Sequence, residues 1–149
     1  MSSQTDDPES PASILAAELR AVVGKLKRRL REQAATGDLT PSQVSVLLRL
    51  ERGGPSTTSG LARAEGMRPQ SMASVIAALE AAGLISGAPD PADGRQTLLS
   101  LTERCRTWIR EGRAARQDWL SRAIEARLSP QDQQDLLASV ELLKRLAEA

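Results

Sequence analysis

Between residues 61 and 101 the chain reads LARAEGMRPQSMASVIAALEAAGLISGAPDPADGRQTLLSL. Two short helical runs meet at Gly66, and a tip rich in Pro, Asp and Gly then separates two strand-like runs. Neither helix is long enough to stand alone in water, so each must bury its apolar face against the rest of the chain. Helix, tight turn, helix and immediate hairpin is the order of a winged helix-turn-helix. In that arrangement one helix enters the DNA major groove and the hairpin tip lies near the adjacent minor groove.

The second of these helices carries the most information. Pro69 suits its first turn, and Gly83 is a natural residue to close its end. Met72, Val75, Ile76 and Leu79 fall at i, i+3, i+4 and i+7 and form the inward face. Gln70, Ser74, Ala77 and Ala81 face outward, flanked by Ser71, Ala73 and Ala78. An ordinary solvated face carries Lys and Glu, whereas this one is small and weakly polar. Close approach of a groove accounts for that, with short polar side chains at the N-terminal end; the helix preference of Ala is the plainer account. Leu84–Ser86 and Thr97–Leu101 are the expected strands, with Pro89, Pro91 and Gly94 confining them to the flanks of a loop.

Around this centre the chain is helical. A first helix is expected over Ser13–Ala35, where Leu15, Leu19, Val22, Leu26 and Leu30 alternate spacings of four and three. Thr40-Pro41-Ser42-Gln43 joins a cap, a first-turn proline and a capping-box partner, and starts a second helix that stops at Gly53-Gly54-Pro55. Thr57, Thr58 and Ser59 offer caps for a third, Gly60–Glu65. Thr102 can cap a fifth that reaches about Leu128, with Gly112 interrupting its pattern. Ser129-Pro130-Gln131-Asp132 starts a sixth, striped by Leu136, Leu137, Val140, Leu143 and Leu146.

The terminal stripes are more than a chain of this size without Phe or Tyr can cover by itself, so a two-fold dimer is the expected assembly. The fold class is mainly α with a small β-hairpin wing: a winged helix-turn-helix with N- and C-terminal dimerisation helices. By region the expectation is a disordered tail over 1–11, dimerisation helices over 12–36 and 102–149, and a DNA-binding lobe over 38–101.

Composition removes several function classes. There is no His and a single Cys, so neither a Cys/His zinc site nor Ser-His-Asp or Cys-His catalysis can be built, and no cofactor is expected. No constellation of nucleophile, base and orienting group is visible, so an enzyme is not expected. No run of about 18 apolar residues occurs, so no membrane span is expected. The acidic, polar N-terminus lacks the basic and apolar segments of a secretory signal, which makes the cytoplasm the expected location. The net charge of +1 is low for a DNA-binding protein. The basic cluster Lys25, Lys27, Arg28, Arg29 and Arg31 is read either as a solvated helix face or as a phosphate contact.

The combination Leu61-Ala62, Gly66-Met67, Gln70-Ser71, Leu79-Glu80 and Gly83-Leu84-Ile85, followed by Asp90-Pro91-Ala92-Asp93-Gly94-Arg95 and Leu99-Ser100-Leu101-Thr102, resembles the MarR family of bacterial transcription regulators. The resemblance runs from the first helix to the last. It implies a homodimer that binds double-stranded DNA, represses its own or a neighbouring locus, and is released by a small lipophilic or aromatic effector or by oxidation of a Cys. It also implies that Arg95 enters the minor groove with Asp93 holding it, and that Gln70, Ser71 and Ser74 face the major groove. Arg68 and Pro69 complete the candidate DNA-binding set. This chain departs from the family pattern at Arg68, where a Ser or Thr cap is usual, at Ser74 and Ala78, where Arg is frequent, and at Ala92 and Gly94 in the wing.

Two sensor candidates remain. Cys105 lies between Arg104 and Arg106, which favour a thiolate. Peroxide-sensing relatives carry their Cys near the first helix instead, and a small buried hydrophobe is the expected role here. Trp108 and Trp119, eleven residues apart, share a face of the fifth helix and are candidates for an effector pocket or for plain packing. The rival function is a helical dimeric interaction module with weak or no DNA binding.

Overall fold

Proline stands in the first turn of four helices and fixes where they begin. The computed structural model describes residues 10–34, 37 and 39–149. Its elements are α1 (Pro11–Glu32), α2 (Pro41–Gly53), α3 (Thr58–Glu65), α4 (Pro69–Ala81), β1 (Ile85–Pro89), β2 (Thr97–Leu101), α5 (Glu103–Arg127) and α6 (Pro130–Ala147). Ser10, Thr40 and Ser129 each accept the backbone N–H three residues on, and Gln43 and Asp132 complete reciprocal capping boxes. The first helix therefore starts at Pro11, two residues before the expected Ser13, because Ser10-Pro11 is itself a cap-plus-proline start. The tail expected over 1–11 otherwise lies outside the described residues.

The chain divides into two compact units, Met1–Ala35 with Arg113–Ala149 and Thr36–Gly112. The second unit holds the core. Val46, Leu47 and Leu50 of α2, Leu61 and Ala62 of α3, Met72, Ile76 and Leu79 of α4, and Leu84, Ile85, Leu99, Leu101 and Cys105 form one buried cluster. Three of the four residues expected on the inner face of α4 are buried, and Val75 packs half-buried on the cluster's edge. Trp108 and Ile109 also pack against it, so the first part of α5 belongs with this unit.

Two glycines do what their backbone allows. Gly66, at φ 64°, turns the chain left-handed between α3 and α4. Gly83, at φ 73°, ends α4. Thr102 then works in both directions: its hydroxyl donates to Gly83 O at 2.8 Å and accepts the Cys105 N–H at 3.2 Å. The cap of α5 is thereby tied to the end of α4.

The hairpin pairs Ile85 with Leu101 through to Pro89 with Thr97, antiparallel. β1 thus runs beyond the expected Ser86 and includes Pro89. Pro89 is the last residue of β1, an edge strand of the two-stranded ribbon, where a residue without an N–H is accommodated. Ser56, in the linker between α2 and α3, makes a bridge to Leu99, with N–H to O distances of 3.0 and 2.8 Å in the two directions. The wing is therefore anchored to the helical part of the unit rather than hanging from α4.

A polar clamp joins α2 to the end of α3. Glu65 Oε1 accepts from Ser45 Oγ and from Arg49 Nε, both at 2.6 Å, and Arg49 Nη2 donates to Ala64 O at 3.0 Å. The Ser45 hydroxyl and the Arg49 guanidinium hold the Glu65 carboxyl below its ordinary value.

In the other unit no residue of α1 or α6 is buried. Arg29 lies over the Trp119 ring at 5.4 Å from its centroid and 3.9 Å from the Glu32 carboxylate. At least this member of the basic cluster is occupied within its own unit. No helix among the described residues is long and apolar enough to cross a membrane.

Cys105 is fully buried, and burial pushes its thiol up. Its reaction with a disulfide reagent should be about a hundredfold slower in the native protein than in denaturant, since attack must await local opening; equal rates would show an open thiol. Glu65 favours folding as the carboxylate, so its contribution is complete above the ordinary glutamate range and is lost as pH falls through its lowered value. Urea midpoints near neutrality and at about pH 3 should therefore differ less for Glu65→Gln than for the wild type. An unchanged difference would remove Glu65 from the acid response.

Candidate nucleic-acid interface

The expected DNA-facing side chains of α4 all reach solvent. Arg68, Pro69, Gln70, Ser71 and Ser74 are exposed along its first turns, while Met72, Ile76 and Leu79 anchor the opposite face. The helix is thus held by its core face and is free on its polar face. α4 packs against α2, α3 and β1, which covers its inner side from three directions.

Arg68 occupies the cap position of α4 in extended geometry, and its side chain makes no capping bond. An arginine has no acceptor to offer an N–H group, which is the physical reason. The N-terminal end of α4 therefore keeps first-turn N–H groups without a side-chain cap, next in sequence to the exposed Arg68. That end attracts anionic oxygens both through the helix dipole and through a full positive charge. Ser74 Oγ donates to Gln70 O at 3.4 Å, so in this state its hydroxyl hydrogen turns back to the helix. Gln70 and Ser71 have no side-chain partner among the described residues.

The wing tip is built by two aspartates. Asp90 Oδ1 accepts the Ala92 N–H at 2.9 Å, and Asp93 Oδ1 accepts the Arg95 N–H at 3.1 Å. Gln96 N–H returns to Asp93 O, and Asp90 N–H to Gln96 O, closing the tip across its base. The family resemblance implies that Asp93 holds Arg95. The hold seen here is on the backbone: Asp93 fixes the Arg95 main chain, and the guanidinium is left without a partner among the described residues. A carboxylate two residues earlier reaches a backbone N–H readily, as in an Asx turn. An unpaired Arg on a fixed backbone can carry its charge to a phosphate or a narrow groove at little ordering cost.

The expected effector residues have different surroundings. Trp108 is half-buried against the core of the Thr36–Gly112 unit, and Trp119 lies under Arg29 in the other. Sequence pattern does not single out Ser45, Arg49 or Glu65. Arg49 and Glu65 are 16 residues apart on different helices, and no periodicity within one element connects them.

Comparison with known proteins bears directly on this geometry. Residues 37–96 match the family model described as MarR family. The HTH-type transcriptional regulator Mb0904 of Mycobacterium bovis is 36% identical over 134 residues, spanning 90% of this chain and 93% of that protein. A crystal structure of a putative transcriptional regulator from Pseudomonas aeruginosa PA01 superposes with a TM-score of 0.77 at 39% identity, over 91% of this chain and 95% of that one. A point variant of Staphylococcus aureus MepR, solved bound to an oligodeoxyribonucleotide, has the same fold, with a TM-score of 0.70 at 19% identity over 89% and 97% of the two chains.

Proposed function

The chain belongs to the MarR family of transcriptional regulators, and on that footing we propose that it is a repressor that binds a pseudo-palindromic operator as a homodimer. The observation that carries the DNA reading is the outward face of α4. Its N-terminal turns present Arg68, Gln70 and Ser71 with no side-chain partner among the described residues, on a helix fixed from behind by Met72, Ile76 and Leu79. The DNA-bound MepR variant supports the same use of the fold. In this reading Gln70 pairs with a base edge, since its amide can both donate and accept, and Ser71 and Ser74 serve bases or phosphates. Arg68 meets phosphate, and Arg95 carries its charge from the wing into the minor groove.

The dimer part rests on exposed apolar surface. Ile14, Leu15, Val22, Val23 and Leu26 of α1, and Leu136, Leu137, Val140, Leu142, Leu143 and Leu146 of α6, are large hydrophobic side chains left exposed in the single chain, with Leu137 and Leu146 at 62% and 63%. A soluble monomer rarely shows so much apolar surface, and a second copy covers it with a self-complementary patch. Two α4 helices related by that two-fold then address half-sites about one DNA turn apart. Release by a small lipophilic or aromatic effector completes the proposal. Trp108 and Trp119 are the only aromatic side chains, so an effector that stacks on either quenches a large share of the intrinsic fluorescence.

Sedimentation at micromolar concentration should return twice the chain mass. A monomer would break the dimer and the palindrome with it.

Selection from a random duplex library should return a two-fold symmetric sequence. On that operator Arg95→Ala should weaken binding by about 1–3 kcal/mol, the range of a lost specific contact. Gln70→Ala should relax preference at one base pair of each half-site, whereas Arg68→Ala should weaken all duplexes and reduce the salt slope. Retained discrimination in Gln70→Ala would remove α4 from base reading, and a library that returns no sequence would favour the interaction-module alternative.

A further inference from the structure

We propose that Arg49 is a positioning residue for the recognition helix: through Glu65 and Ala64 it fixes the end of α3 and the turn that aims α4 at DNA. The role rests on the DNA reading above, but its structural half is observable without DNA.

Packing alone does not hold the end of α3. This helix has eight residues, and its buried side chains, Leu61 and Ala62, are the two at its middle. Arg63 and Ala64 are exposed, and the core next takes in Met67 beyond the turn, so no apolar side chain grips the last three residues of α3. Arg49 does. Its planar fork spans two acceptors, the Glu65 carboxylate through Nε and the Ala64 carbonyl through Nη2. The second bond satisfies one of the carbonyls that a helix end leaves without an intrahelical partner. Ser45 adds a third bond, to the same Glu65 oxygen, from one turn earlier on α2. Since α2 is itself buried through Val46, Leu47 and Leu50, the clamp ties the end of α3 to the best-packed part of the unit.

The connection from α3 to α4 has little slack. Only Gly66, Met67 and Arg68 separate Glu65 from Pro69. The Gly66 and Met67 N–H groups both return to α3, Met67 to Ala62 O at 2.9 Å. A rotation of the α3 end is therefore transmitted to the first turn of α4, where Arg68, Gln70 and Ser71 stand. Displacements of about 1 Å at such a turn are enough to spoil two-point hydrogen bonds to a base edge.

The plain alternative is a surface ion pair of no consequence for function. The Arg49 side chain is 47% exposed and that of Glu65 16%, and partly exposed pairs contribute little to global stability. That weakness makes the two roles separable, because positioning predicts a local and functional loss without a global one.

The test uses the full-length protein with Arg49→Gln, Arg49→Lys and Ser45→Ala. In the free protein, amide exchange at Gly66 and Met67 should quicken about tenfold in Arg49→Gln, while Leu50 and Leu79 amides change far less and the urea midpoint falls only by the small share of Glu65 stabilisation that Arg49 supplies. Arg49→Lys, which keeps the charge but not the fork, should fall between it and the wild type. On the selected operator, Arg49→Gln and the charge-neutral Ser45→Ala should both lower the ratio of specific to non-specific affinity, about tenfold and less respectively, with no change in salt slope. Unchanged exchange at Gly66 and Met67 overturns the proposal, as does a uniform rise that includes Leu50 and Leu79. Faster local exchange with an intact specificity ratio also overturns it. A reduced salt slope overturns it too, by showing that Arg49 touches phosphate instead. A wild type that selects no sequence defeats the DNA reading and this proposal together, a failure told apart because the exchange arm is read on free protein.

Discussion

The burial of one face of α4 is the constraint on which the rest depends. Met72 and Leu79 are completely buried and Ile76 nearly so, against residues contributed by α2, α3 and the hairpin. Because that face is fully used, the other is fixed in direction and can be left small and polar. Truncating a residue such as Met72 to Ala removes a fully buried side chain, at a cost of about 2–5 kcal/mol in sites of this kind. The arrangement does not need a basic protein. In the proposed reading it needs a rigid helix with a few available donors at its start, and Arg68, Gln70 and Ser71, which have no side-chain partner among the described residues, meet that need at a net charge of +1.

Around α4 the chain uses short, local devices to hold direction. Gly66 turns α3 into it, Gly83 ends it, and Thr102 ties its end to the start of α5. Ser56 pins the wing, and two aspartates set its tip. Each device is a hydrogen bond or a left-handed residue rather than a large contact area. Together they bring α4 and the wing tip to defined positions with little apolar surface of their own. The terminal helices contrast with this: α1 and α6 keep long apolar stripes and bury no residue in the single chain.

Much of this is legible in the sequence because the signals are local. Thr40-Pro41 with Gln43 and Ser129-Pro130 with Asp132 announce capping boxes that close within one turn, and the inward stripe of α4 repeats within two turns. Ser10-Pro11 carries the same start signal but sits in a polar segment that reads as tail, so its helix starts earlier than expected. Pro89 reads as a strand breaker, yet a two-stranded ribbon tolerates it at an end. The Arg49–Glu65 clamp joins residues 16 positions apart and has no local signature. Trp108 and Trp119 show the limit of helical periodicity. Spacing places them on one face of α5, but the division of the chain after Gly112 gives them different neighbours.

If the outer face of α4 and the wing tip meet DNA, amide chemical-shift mapping of the labelled protein during titration with its selected duplex will show it most directly. The largest, saturable shifts are then expected at residues 68–74 and 93–95, with α6 little affected. Shifts concentrated on α1 and α6, or none at residues 68–74 while the duplex is bound, would contradict that contact.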